Sequence, residues 1–524
     1  MIPREEENMK LRKIWIGLAV CVLILNVATG AAQGQRGQAP PPLTGEQKLV
    51  AAMHLIESAT LMNYVNELCS EKYGGRLTGT PEFNAAADWV ISLLKKWGVQ
   101  PAGDKGTYLQ AFPNPYTLVF KGGLLTMNIP VKDGVVKKPY KYEDEFLPGE
   151  TSGSGEVTAE VVYVGYGVTA PELNYDDYAG VDVKGKIVLM ESEVPMGASD
   201  TNEAFKKWRP YSFHQYKLEN AVAHGVKGMI YNYGPIVNPN NSYREGFIYH
   251  HVGAAVVADV FAGTGRKHED TVARIRKELK PQSFATGKVM TMKNVTEHHP
   301  EGVGYNVVGV IPGTDPALKD EVILIGGHLD HLGRCWELMP GANDNATAVA
   351  VGLGVAEAMA KSAVKPKRTV LFNFFGSEEQ AVAGSKFYTE NPIYPLDKTL
   401  VFINMEGPGM GDAISASGAR TYPAFWAFIE KANEKYVHRI LSGGPAAYPG
   451  RPRQDSAWFF WKGVPSLTFG ARGKSAPYPT YHNTKDAAEL ITPEIMEDIA
   501  QLFFMAVMDI SDEPAGLTFR PEKK

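Results

Sequence analysis

The stretch "LFNFFGSEEQ", Leu371–Gln380, is an apolar run that stops at Gly376-Ser377 and then presents two adjacent carboxylates, Glu378 and Glu379. A short continuous apolar run closed by a turn signal has the form of a strand buried on both faces. The same form recurs on either side of it. "EVILIGG" precedes it, and "KTLVFIN" and "PSLTFG" follow. Helix-like segments lie between, among them "ATAVAVGLGVAEAMAKS", and a last helix starts at about 493. Such alternation from about residue 303 predicts an α/β fold, with a mixed, mostly parallel central sheet and helices on both faces.

Upstream the texture differs. From about 120 to 295 there are short β-type runs with turn signals, such as "GEVTAEVVYVGYGV", "GKIVLME" and "KGMIYNYG". They predict a separate β-rich module. Before it, helical segments cover roughly 45–70, and "GGRLTGTPE" reads as a loop with Thr80 as N-cap and Pro81 at the first helical position. The helix that follows has Ala86, Trp89, Val90, Leu93, Leu94 and Trp97 spaced for one buried face, and Gly98 ends it. The expected division is residues 45–120 and 301–512 as one α/β domain, 121–300 as an insertion, and 513–524 as a tail.

At 524 residues the chain is too long for one compact core. Its 44% hydrophobic and 21% charged residues are ordinary for a globular protein, and a net charge of −5 argues against a general nucleic-acid binder. Lys10, Arg12 and Lys13 precede "IWIGLAVCVLILNVATGAA" and then the polar "QGQRGQAPPP". That layout predicts a signal peptide over 1–32, cleaved near Ala32-Gln33, and a linker over 33–44. The expectation is bacterial export, periplasmic or secreted, with no stable membrane span after cleavage. Cys69 and Cys335 remain, and both read as free thiols. Oligomeric state is not legible.

In open α/β sheets, ligands bind beyond the carboxyl ends of the strands. After "EVILIGG" come His328, Asp330 and His331, and "PGANDNA" then sets Asp344 ahead of a helix. Glu378 and Glu379 follow the opening strand, Glu406 follows "KTLVFIN", and His482 follows "PSLTFG" across a turn-rich loop. Taken singly, each is an ordinary cap or loop residue. Together they are the donor set of a first-row metal site. His328, Asp344, Glu379, Glu406 and His482 are too many for one tetrahedral zinc with an open position, and suit two metals if one carboxylate bridges. Asp330 is placed to hold the other ring nitrogen of His328. His331 reads as a loop or packing histidine, and His250-His251 and His298-His299 as solvated. Asn345 heads a formal glycosylation sequon in which no glycan is expected.

"GGHLDHLG", "PGANDNA", "FFGSEEQAVAGS", "FINMEGPG" and "YPTYHNTKD" resemble, in order and spacing, the motifs of the M28 family of zinc metallopeptidases. The likeness extends to "GGRLTGTPEFNAAADWVISLLKKWG", and residues 150–235 resemble a protease-associated (PA) domain. The resemblance implies two Zn2+ per chain: His328 and Glu406 on one, Glu379 and His482 on the other, Asp344 on both. It implies Glu378 as the general base for an attacking water, and peptide substrates. The chain departs from the commonest pattern at Glu406, where most members have Asp. Tyr481 reads either as a donor to the oxyanion or as rim packing. The aromatics Trp458, Phe459, Phe460 and Trp461 read as helix packing or as a specificity pocket. Aminopeptidase action is the leading expectation. Arg451, Arg453 and Arg472 keep a carboxypeptidase or dipeptidase reading open, with glutaminyl cyclisation or a non-catalytic receptor role as further alternatives.

Overall fold

The computed structural model describes residues 43–199, 201–239, 242–473 and 480–520. The expected signal peptide at 1–32, most of the linker at 33–44 and residues 521–524 of the tail lie outside the described residues. Among the described residues no helix is long and apolar enough to cross a membrane. The chain divides into a unit at residues 1–46, described only over 43–46, and a unit at 47–524 that holds every element discussed below.

The second unit is built on two sheets. In the nine-stranded one, β1 (Val303–Ile311) is followed in sequence by β2 (Val322–His328), β3 (Thr369–Phe375), β4 (Thr399–Met405) and β5 (Ser466–Arg472). In space the order is β1, β3, β2, β4, β5, and from β3 to β5 all neighbours are parallel. β1 lies antiparallel to β3, and Gln100–Pro101 and Leu109–Pro113 lie antiparallel to β1. Past β5, Ala413–Ser417 is antiparallel again. The sheet is thus parallel at its centre with an antiparallel pairing on either side, and Ile440–Gly443 at the far edge lies parallel to Ala413–Ser417.

Both faces of the centre are covered, as the unbroken apolar runs require. Along β2, β3 and β4, Ile323, Ile325, Phe372, Phe374 and Ile403 enter one core, and Leu324, Leu371, Phe375 and Phe402 enter another. The larger core holds α1 (Pro81–Trp97), α2 (Thr347–Lys361) and α3 (Pro493–Asp512). Thr80 caps α1 by accepting the Phe83 N–H, and Gly98 ends it in the left-handed region at φ 78°. The buried face of α1 is Phe83, Ala86, Ala87, Val90, Ile91 and Leu94. It is rotated from the expected stripe, because Trp89 instead lies at the margin with its ring 5.7 Å from that of Tyr64. α2 is buried without a break from Thr347 to Ala356. Its glycines let neighbours close in: a Cβ on Gly352 would sit 2.8 Å from Phe374 Cε1, and one on Gly354 2.7 Å from Leu61 Cδ2.

The second sheet has ten strands, drawn from Tyr116–Val131 through Phe284–His299, with Arg334–Cys335 and Glu337–Leu338 added at one edge. The strand Tyr116–Val131 runs through residue 120. Four neighbours, Gly155–Tyr163, Ile187–Glu191, Gly228–Asn232 and Ile248–Val252, are parallel. The last of these is buried along its whole length, so His250 and His251 are core residues rather than solvated ones. His250 Nε2 lies 2.8 Å from Asn294 Oδ1. His298 and His299 are half-buried and stack on Tyr243 and Tyr116. Cys69 and Cys335 are both free.

Candidate metal centre

The carboxyl ends of β2, β3 and β4 lie side by side in the sheet, and each ends in a functional side chain or just short of one. β2 ends at His328 itself. After β3 the chain turns at Gly376 and at Ser377 (φ 59°) to reach Glu378 and Glu379. Glu406 directly follows β4, and its N–H donates to Phe469 O on β5. Asp344 (φ −117°, ψ 87°) lies in non-helical backbone within the turn Ala342–Ala346 ahead of α2, and His482 (φ 57°) in the segment after β5.

These residues meet. Asp344 stands between the two imidazoles, with Oδ1 3.2 Å from His328 Nε2 and Oδ2 3.3 Å from His482 Nε2. Each imidazole has a second carboxylate of its own. Glu406 Oε2 is 3.3 Å from His328 Nε2, and Glu379 Oε2 is 3.1 Å from His482 Nε2. Glu378 stands further off, with Oε2 4.0 Å from His328 Nε2. The Glu406 side chain is the most open of these acids at 24% exposed, and the Asn345 and Asn404 amides donate to its two oxygens. Asn345 is itself fully buried with its amide on Met405 O at 2.8 Å, so the sequon has no room for a glycan.

The loops carrying these groups are held by two buried aspartates. Asp330 was expected to hold the His328 ring through its carboxylate. Instead its backbone carbonyl lies 3.1 Å from Nδ1, while the carboxylate is 3.6 Å away. That carboxylate accepts the N–H groups of both Glu378 (3.1 Å) and Glu379 (3.3 Å), so it brackets the acidic pair. Asp486 does the same for the next loop, accepting the N–H groups of Asn343 and Asp344, both at 3.0 Å. The quoted motif "YPTYHNTKD" contains Asp486, yet nothing local marks it as a partner for a loop more than a hundred residues away. His331 also differs from the loop or packing residue expected. It is fully buried, with Nδ1 2.8 Å from Glu379 Oε1. His482 depends on a loop between strands of the second sheet: its Nδ1 lies 2.7 Å from Val237 O, and its carbonyl accepts the Val237 N–H. Arg76 ties the near side, donating to the carbonyls of Leu68, Leu329, Pro340 and Gly341. Tyr481, 42% exposed, stacks on the His482 ring at 3.6 Å between centroids. Of the aromatic run, Phe459 is wholly buried against Tyr388 and Phe402, which is helix packing.

The donor set fits divalent cations. Asp344, Glu378, Glu379 and Glu406 crowd two imidazoles, and among the described residues no lysine or arginine pairs with them. Burial would raise the Asp344 carboxyl, but His328 and His482 outweigh it and hold the group well below its usual range. The Glu379 carboxyl is likewise opposed by burial and drawn down to about 2, chiefly by His482. Burial pushes Glu378 well above its usual range, and Glu406 and Glu379 add to this. His328 Nε2 is buried without a hydrogen-bond partner while facing two carboxylates at 3.2 and 3.3 Å. Such a nitrogen is costly to bury unless a cation completes it. Asp344 belongs both to a metal-capable group with His328 and Glu406 and to one with His331 and Glu379.

Comparison with known proteins bears on the segment that carries this centre. Residues 306–507, which span every residue of it, match the model of peptidase family M28. An aminopeptidase of Pseudomonas aeruginosa is 26% identical over 429 residues, covering 78% of this chain and 69% of that one. A probable leucine aminopeptidase 2 of Aspergillus oryzae is 33% identical over 184 residues, covering 32% of this chain and 34% of its own. In fold, the aminopeptidase from Aneurinibacillus sp. strain AM-1 superposes with a TM-score of 0.62 at 21% identity, over 91% of this chain and 98% of that one. A peptidase M28 precursor from Shewanella amazonensis SB2B does so at 0.61 and 19%, over 91% and 99%. Residues 306–507 thus carry a domain that matches peptidase family M28.

Proposed function

We propose that the chain is an exported di-zinc aminopeptidase that releases N-terminal residues from peptides. The observation that carries this is Asp344, whose two oxygens face His328 and His482 separately, each imidazole with its own second carboxylate. In this reading His328 and Glu406 would hold one zinc, Glu379 and His482 the other, and Asp344 would serve both. When bound, the pair of ions supplies Lewis acidity to the attacking water and to the scissile carbonyl.

The chain's own groups do the rest. Glu378 takes a proton from the water as it attacks the carbonyl carbon, and returns it to the leaving amine. Its side chain is 11% exposed and lies outside the closest imidazole contacts, which leaves it free to move a proton. Asp330 fixes the backbone of Glu378 and Glu379. That keeps the base and the ligand turned to different tasks. Tyr481 stands at the mouth on the His482 ring, where its hydroxyl can donate to the developing oxyanion. Residues 121–300 are proposed as a PA-type insertion whose role here is structural, since Val237 holds His482.

Zinc analysis of the purified protein should give close to two equivalents, with activity lost to chelator. Glu378→Gln should lower kcat by roughly 10²–10⁴-fold and keep the zinc. Near-parental turnover in that variant, or equal cleavage of free and N-acetylated peptides, would sink the reading.

A further inference from the structure

Three arginines converge on one glutamate, Glu193. Arg209 and Glu193 come from the second-sheet segment, Arg451 and Arg453 from the segment leading to Asp455 and the helix Ser456–Trp461. The Glu193 carboxylate lies 3.4 Å from Arg209 Nη1, 3.6 Å from Arg451 Nη2 and 4.0 Å from Arg453 Nη2. One acid among three guanidinium groups leaves positive charge over. Arg209 is only 4% exposed, yet its Nε and Nη2 have no hydrogen-bond partner. Its guanidinium lies against the rings of Phe213 (4.9 Å) and Phe205 (5.6 Å). Gly450 packs on its stem, where a Cβ would come within 2.9 Å of Cγ. Burial, with Arg451 and Arg453 nearby, pulls the group down to about 10. A buried guanidinium with two unused donor atoms is expensive unless an acceptor completes it.

The cluster opens to solvent along one side. Side-chain exposure rises from 5% at Arg209 through 23% at Arg451 to 49% at Arg453. The segment that carries Arg451 and Arg453 continues to Asp455. Asp455 is fully buried, and its carboxyl feels the charges of His328 and Glu406. Arg451 and Asp455 are four positions apart, at most ~14 Å of extended chain, which is the reach of a short peptide. Arg472 is not part of the group; its Nε donates to Ser415 Oγ.

We propose that Arg209, Arg451 and Arg453 form a carboxylate subsite for the peptide whose reacting end lies at His328, Asp344 and Glu406. The guanidinium fork matches a carboxylate in shape and charge. The inference rests on the peptidase reading above and narrows it to short or acidic peptides. Either a C-terminal carboxylate or an acidic side chain supplies the group.

The test uses the zinc-loaded Glu378→Gln protein, so that binding is read without turnover. Titration calorimetry compares Ala-Ala-Ala with its C-terminal amide, and that amide with Ala-Glu-Ala amide and Glu-Ala-Ala amide. At least one carboxylate-bearing peptide should bind about tenfold or more tighter than the uncharged amide. Tighter Ala-Ala-Ala identifies the terminal carboxylate as the source, and tighter binding of a glutamyl amide identifies the side chain. Adding Arg451→Gln and Arg453→Gln, which spares buried Arg209, should shrink the difference to under twofold. Equal binding in the parent, or a difference that survives the two substitutions, overturns the subsite. Parental Glu378 enzyme assayed on the same peptides tests the other reading separately: turnover of none of them refutes the aminopeptidase, whatever the affinities show.

Discussion

Glu378 and Glu379 differ by one position in sequence, and their surroundings separate them. Glu379 is 3% exposed at its side chain and locked between His331 and His482, whereas Glu378 makes no contact shorter than 4.0 Å with an imidazole. His331 therefore has work that its sequence neighbourhood hides. Three residues beyond His328, its ring had no legible direction, and only the folded loop turns Nδ1 onto Glu379 Oε1. Partners of this kind orient a ligand, and their loss typically costs 10–100-fold in metal affinity. His331→Asn should weaken zinc binding by about that factor, measured by competition with a chelator of known affinity. Activity at saturating zinc should fall much less. An unchanged zinc affinity would show that His331 only packs.

At the scale of elements, caps and apolar runs were readable because they are local. Thr80 and Gly98 bound α1 as their chemistry requires. The rotated face of α1 was not readable, since Trp89 reaches Tyr64 on a neighbouring helix and sequence spacing cannot weigh that contact. α2 shows two local and tertiary effects in conflict. Replacing Gly352 by Ala would gain up to about 1 kcal/mol of helix propensity. The new Cβ would also stand 2.8 Å from Phe374 Cε1, in a ring 1% exposed and fixed in β3. Overpacking of this kind costs about 1–3 kcal/mol, so the clash should win. Gly352→Ala should lower the midpoint of chemical denaturation, and a gain in stability would mean that Phe374 yields.

Across the whole molecule, loops between the strands of the second sheet brace the site, and the sheet sets a pH limit on stability. Val237 holds His482, and Glu143 accepts the N–H and hydroxyl of Thr484 two residues on. The same sheet buries His250 and His251, whose burial lowers each to about 4. In the unfolded chain they take up protons below about pH 6.5. Between about 6.5 and 4 the unfolded state therefore binds more protons than the folded one. Stability falls as pH falls through that window, by about 1.4 kcal/mol per unit for each histidine. Unfolding of the metal-free protein at pH 7, 6 and 5 should show this slope. His250→Gln should flatten it by close to one proton, and an unchanged slope would mean that His250 titrates normally in the fold.

The sequence by itself determined the strand–helix alternation and the acids and histidines at the strand ends, because burial period and strand-end position are encoded locally. The tertiary structure alone decided which of them share a partner. Asp330 and Asp486 bracket loops through backbone N–H groups, His331 reaches Glu379, and Val237 reaches His482 across 245 residues. Hydrogen bonds and charge pairs act over a few ångströms of space, and no spacing along the chain reports that distance.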